Sequence, residues 1–200
     1  MPPSSDDIIE RLLTQAEHLR LEGLYEEAIV ILEQILARNP DHVVALEEVA
    51  DNELSLEQYD RAETAARRAV TIDPKSFDAH YIIGFVASHR EKWAESVAAL
   101  KTANQLEPNN PEILRCLGWS LFSGGAVVEG MVTLERALNL EPDNPLILCD
   151  LGVAYLKMKE FDKARALLKR ALDLDPENIR ARECLEMADR IQERVQEEGK

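Results

Sequence analysis

PLILCDLGVAYLKMKEFDKARALLKRALDLDPEN, residues 145–178, is bracketed by two prolines and reads as two amphipathic helices. Pro145 follows Asn144, an N-cap residue before proline at the first helical position, which is the preferred start of a helix. Pro176 lies beyond the second helix. It is the last of five prolines, Pro40, Pro74, Pro108, Pro142 and Pro176, spaced 34 residues apart. Proline has no N–H to donate and costs about 3 kcal/mol inside a helix, so each must stand between helices. A unit recurring at this interval is the signature of a helix-turn-helix solenoid.

Aligning the units on their prolines exposes columns with separate physical roles. Ala16, Ala50, Gly84, Gly118 and Gly152 put a small residue in the middle of the first helix of each unit, helix A. Ala28, Ala62, Ser96, Gly130 and Ala164 do the same on helix B. Both columns let a neighbouring helix come close. Leu32, Leu100, Leu134 and Leu168, each followed three residues on by Ile35, Ala103, Ala137 or Ala171, form the apolar stripe of helix B. The second unit is lighter, with Ala66 and Ala69. Tyr25, Tyr59, Trp93, Val127 and Phe161 are expected to fill the gap between the helices of a unit. Gly124, Gly125 and Gly130 are expected to weaken helix B of the fourth unit, because an interior glycine costs about 1 kcal/mol relative to alanine.

These columns resemble the tetratricopeptide repeat pattern W-x2-L-G-x2-Y, A-x3-F, P. The nearest unit carries Leu148, Leu151, Gly152, Tyr155, Ala164, Leu168, Ala171 and Pro176, with leucine in place of the tryptophan and of the phenylalanine. Gln15, Glu53 and His80 depart from the pattern where it calls for apolar or aromatic groups. The resemblance covers about residues 9–178 and implies an all-α, right-handed α-solenoid of five repeats, at about 9–42, 43–76, 77–110, 111–144 and 145–178. Before the array, occupying 6–178, a disordered leader is expected at 1–5. After it, Ile179, Cys184, Leu185, Ala188, Ile191 and Val195 give residues 179–200 an apolar side, read as a capping helix with a frayed end or as a partner-binding helix.

The chain has 23 basic and 38 acidic residues, a formal charge of −15, which opposes binding to phosphate backbones and argues against a nucleic-acid partner. The first residues lack the basic and apolar regions of a secretory signal, and no apolar run approaches the roughly 20 residues of a membrane span. Three cysteines, Cys116, Cys149 and Cys184, are an odd number without metal spacing, so reduced and largely buried thiols in a cytoplasmic protein are expected. His18, His42, His80 and His89 form no metal-binding pair. No phosphate loop and no nucleophile with a neighbouring base can be identified. No metal, cofactor or catalytic residue is assigned, and the chain is read as a non-enzyme.

The resemblance turns one face of each helix A toward a concave groove. Three rows line that groove: Glu10, Val44, Asp78, Glu112 and Leu146; Leu13, Glu47, Tyr81, Arg115 and Cys149; Glu17, Asp51, Phe85, Trp119 and Val153. Acidic groups fill the first half. Tyr81, Phe85, Trp119 and, nearly one turn on, Phe122 fill the middle. Members of the family that hold acidic C-terminal tails use lysine and asparagine on these rows; here the only base is Arg115, so that activity is not carried over. The expected site is therefore Glu10, Leu13, Glu17, Glu47, Asp51, Asp78, Tyr81, Phe85, Arg115, Trp119, Phe122 and Val153. Its expected ligand is a protein segment basic at one end and apolar or aromatic at the other. The aromatics have a second reading, as core residues of helices sandwiched between neighbours. The leading function is a protein-interaction adaptor, with a self-assembling scaffold or homo-oligomer and a regulatory subunit of an enzyme as alternatives.

Overall fold

The structure, a computed structural model, describes residues 4–198, and side chains as far as residue 191. It is helical throughout the described residues, with α1 Ser5–Leu21, α2 Tyr25–Arg38, α3 Val43–Ser55, α4 Tyr59–Ile72, α5 Phe77–His89, α6 Trp93–Leu106, α7 Pro111–Ser123, α8 Val127–Leu140, α9 Pro145–Lys157, α10 Phe161–Leu174 and α11 Ile179–Glu198. Two compact units, residues 1–108 and 109–200, hold α1 to α6 and α7 to α11.

Local chemistry sets the helix boundaries. His42, Ser76, Asn110, Asn144 and Asn178 recur at the repeat interval, and each side chain accepts a backbone N–H of the first turn that follows, as Ser76 Oγ does from Ala79 at 3.0 Å. The three-residue turns between helices A and B are equally regular. Gly23, Glu57, Glu91, Gly125 and Lys159 all take positive φ, from 57° to 96°. In each turn the next N–H reaches back to a carbonyl five residues earlier, as Gln58 does to Glu53 at 2.8 Å. This is the Schellman ending of a helix, which needs a left-handed residue. Only two of the five are glycine.

Of the leader expected at 1–5, residues 1–3 lie outside the described residues. Ser4 caps α1 by accepting from Asp7 N, Asp7 bonds back to Ser4 N at 2.9 Å, and Ser5 is already helical. A capping box thus starts the helix at Ser4, within the span expected to be leader.

Packing inside each unit follows the small columns. A Cβ on Gly84 or Gly152 would lie 2.5 or 2.8 Å from Cγ of Leu100 or Leu168, so the helix A glycine is the socket for the helix B leucine. At α3 and α4, Ala50 and the shorter Ala66, both fully buried, share one core. At α7 and α8 two glycines meet. A Cβ on Gly130 would stand 2.5 Å from Phe122 N and 2.7 Å from the Gly118 carbonyl oxygen. Gly130 is therefore required by helix-helix contact, which corrects its reading as a weak point. Val127, expected to fill an intra-unit gap, is instead exposed. Tyr59 of α4 stacks on His89 of α5, in the following repeat rather than within its own, with ring centroids 4.1 Å apart.

α11 contributes Ala181 and Ala188, both fully buried, to the core that holds Leu168 and Ala171. Cys184 and Leu185 pack against this core, whereas Ile179, expected on the same side, is 67% exposed at the first position of the helix. Val195 lies beyond the described side chains. The three cysteines are free thiols, and burial pushes that of Cys149 up to about 11.

Candidate functional site

In the first unit three successive A helices line one hollow, and two of them supply its carboxylates. α3 carries Glu47, Glu48 and Asp51; α5 carries Asp78, Tyr81 and Ile82; α1 carries Arg20, and together they line a cavity of about 210 Å3. Spacings of three and four residues put the members from each helix on one face. Arg20 is the cation of this lining. Its guanidinium lies 3.5 Å from Glu48 Oε2 and 3.9 Å from Asp51 Oδ2. One positive charge among four carboxylates leaves the hollow strongly negative.

The carboxyl groups register that crowding. Burial, reinforced by Glu47, Asp51 and Glu48, pushes Asp78 up to about 6. Burial also raises Glu48 and Asp51, and for both of them Arg20 opposes the shift. Each group would gain from a further cation. Beside the acids, the rings of Tyr81 and Phe85 sit 6.1 Å apart and tilted by 51°. Tyr81 belongs both to the acidic lining and to this aromatic pair.

Among the expected residues, Glu47, Asp51, Asp78 and Tyr81 thus come together, with Phe85 next to them. Glu17 is exposed and acts electrostatically on Glu48. Glu10 lines a separate shallow hollow along α1, and Leu13 is half-buried against the core of Leu32 and Ile35. Arg20, Glu48 and Ile82 are the members that the three rows missed. Glu48 and Ile82 belong to a fourth row, Thr14, Glu48, Ile82, Cys116 and Asp150, where two carboxylates, Glu48 and Asp150, were a legible signal.

The second unit corrects the expected aromatic site. Phe122 and Val153 are each only 7% exposed and belong to core clusters, Phe122 with Met131 and Leu134 and Val153 with Leu148 and Leu168. Neither presents a usable surface, because helix B and the following helix A close over them. Trp119 is half-buried against the second of these cores, and cations of its own chain lie over its ring, Arg180 at 4.4 Å and Lys157 at 5.0 Å. Arg115 is not a free base either. Its side chain is 13% exposed, pairing with Glu112 and, at 2.9 Å, with Asp150. Asp150, 3% exposed, also accepts from Arg180 at 2.6 Å. Among the described residues no set of His, Cys, Asp or Glu has the arrangement to hold a metal ion, and no helix is long and apolar enough to cross a membrane.

Known proteins agree with this architecture. Residues 19–84 and 121–187 match the tetratricopeptide repeat. No curated protein sequence matches the chain significantly. Among solved structures, TTC0263, a thermophilic tetratricopeptide protein of Thermus thermophilus, superposes with a TM-score of 0.71 at 24% identity, covering 90% of this chain and 98% of that one. YrrB, described as a tetratricopeptide protein with an unusual peptide-binding site, gives 0.64 at 20% identity over 85% of this chain and 88% of that one. A chain of the APC/C hetero-tetramer Cut9–Hcn1 gives 0.81 at 16% identity, covering 88% of this chain and 35% of that one. At these identities the likeness is one of fold. The repeat columns, the paired helices and a family match over more than half of the sequence lead to one conclusion: the chain belongs to the tetratricopeptide repeat family.

Proposed function

We propose that this protein is a non-enzymatic adaptor whose five repeats, closed by α11, hold a partner protein by a basic segment seated on the acidic hollow of the first unit. The observation that carries this reading is the hollow itself, where Glu47, Glu48, Asp51 and Asp78 share the single cation Arg20 and burial holds three of the four acids above their usual range. An incoming arginine or lysine would relieve that repulsion. Tyr81 and Phe85 offer an aromatic surface next to it, so the favoured segment sets an apolar or aromatic residue beside its basic one. A fold shared with YrrB, described as peptide-binding, supports the same reading. Arg115 and Trp119, already engaged by Asp150 and Arg180, act in this proposal as supports of the second unit.

The test uses a fluorescent peptide with two arginines next to a phenylalanine, titrated against the wild-type chain and a Glu47→Gln, Asp51→Asn, Asp78→Asn variant. Binding should be lost in the variant while its helical content is kept. Added salt should weaken wild-type binding by slowing association, as expected for steering screened over about 8 Å at physiological ionic strength. Equal affinity of both chains, or a salt-independent rate, refutes the acidic site. A mass that rises with concentration in light scattering would favour the self-assembling alternative.

A further inference from the structure

A second cleft lies elsewhere on α3, built around Glu53, the residue at which the second repeat departs from the family pattern. Glu53 follows Asp51 by two positions, about 200° around the helix, so the cleft does not share the acidic hollow. It has a volume of about 260 Å3, with Leu46, Val49 and Glu53 of α3 on one side and Arg61, Thr64 and Ala65 of α4 on the other. Glu53 is 1% exposed. One carboxylate oxygen, Oε1, pairs with Arg61 at 2.8 Å; Oε2 is buried without a hydrogen-bond partner. Burial raises the carboxyl group above its usual range, with Arg61 opposing and Glu33 and Glu26 of α2 adding to the rise. A covered acceptor without a donor is costly, and it borders an open space.

The fifth repeat shows what belongs there. At the position of Glu53 it carries Tyr155, three repeats on. That hydroxyl donates to Glu135 at 2.8 Å, and Lys163 Nζ lies 5.1 Å from the ring centroid. Glu135 occupies the column of Glu33, and Lys163 that of Arg61. Leu151 and Leu167, grouped with Tyr155 in one core, occupy the columns of Val49 and Ala65. The second repeat therefore keeps the cation that serves a tyrosine ring, Arg61, faces the same acceptor column through Glu33 of α2, and adds Glu53 as a second acceptor. It lacks the ring and has smaller residues around the place of the ring.

We propose that the cleft over Glu53 is a binding site for the phenol side chain of a tyrosine presented by a partner, its hydroxyl donating to Glu53 Oε2 and its ring lying beneath the Arg61 guanidinium. The ring takes the space that Val49 and Ala65 leave open, and the hydroxyl supplies the donor that Oε2 lacks. This site stands independently of the acidic hollow.

The probe is p-cresol, the tyrosine side chain itself, titrated into the full chain while backbone amide NMR shifts are followed. Toluene and n-butylamine serve as comparisons. p-Cresol should produce saturable shifts in α3 and α4 near Glu53 and Thr64, with toluene about three- to tenfold weaker, the worth of one hydrogen bond. Glu53→Tyr should abolish those shifts by supplying the ring internally. Ala65→Leu should abolish them by restoring bulk, and it decides the matter if Glu53→Tyr does not fold. The Glu47, Asp51, Asp78 triple variant should bind p-cresol as the wild type does, which separates this site from the acidic one. Absence of saturable shifts, tighter binding of n-butylamine than of p-cresol, or shifts that survive Ala65→Leu would overturn the proposal.

Discussion

Replacing Gly130 with alanine sets two physical effects against each other. Helix propensity favours the change by about 1 kcal/mol, since alanine is the best helix former and Gly130 lies inside α8. Packing opposes it. The new Cβ would stand 2.5 Å from Phe122 N, 2.7 Å from the Gly118 carbonyl oxygen and 2.8 Å from Phe122 Cα, whereas carbon contacts are comfortable at about 3.5–4.0 Å. All three neighbours are backbone atoms and cannot turn aside, so α7 and α8 must separate by roughly 1 Å, which forfeits about a quarter to a half of the dispersion energy of the contacts that open. Overpacking of this kind costs about 3 kcal/mol at the upper end of its usual range, leaving a net loss of about 2 kcal/mol after the propensity gain. At about 2–4 °C per kcal/mol for a chain of this size, the thermal midpoint should fall by roughly 4–8 °C. Circular dichroism melts of Gly130→Ala beside the wild type measure this directly. A midpoint equal to or above that of the wild type would refute the packing argument and restore Gly130 as a weak point.

The turns supply a change of opposite sign: Glu57→Gly, Glu91→Gly and Lys159→Gly should each stabilise by about 0.5 kcal/mol in urea unfolding, because the left-handed penalty removed exceeds the added freedom of the unfolded chain. Asp150→Ala should destabilise by about 3 kcal/mol, since it leaves the mostly buried Arg115 with a lost partner; a variant as stable as wild type would mean that the ion pairs contribute nothing. For Asp78, a folded pKa of about 6 lies above its unfolded value, so the folded chain binds the proton more tightly and gains stability as pH falls from 7 toward 4. The gain is on the order of 1 kcal/mol for a half-exposed group, and the melting midpoint at pH 5 relative to pH 7 should rise less in Asp78→Asn. Over the same pH range an arginine-bearing peptide should lose affinity for the wild type, and a constant affinity would exclude Asp78 from its site.

The division between sequence and structure follows the range of the forces involved. Caps, prolines and Schellman turns act within a few residues, so the amino-acid sequence by itself determined where the helices start and stop, the interval of 34 residues and membership of the repeat family. It also brought Glu47, Asp51, Asp78 and Tyr81 together, because neighbouring A helices repeat in register. The repeat columns could not say what covers a given side chain. Trp119 faces Arg180 and Lys157, Asp150 draws together Arg115 and Arg180, and Arg20 reaches Glu48 and Asp51. Most of these pairs lie some thirty or more residues apart, and their meeting depends on the separation of helices in different repeats. Gly130 shows the same limit: its cost to a helix is local and legible, while its necessity comes from the backbone of Phe122 and Gly118. Whether Glu53 is a blemish or a site was likewise left to tertiary structure, because only the packed helices show a buried oxygen without a donor beside the space that Tyr155 fills in the fifth repeat.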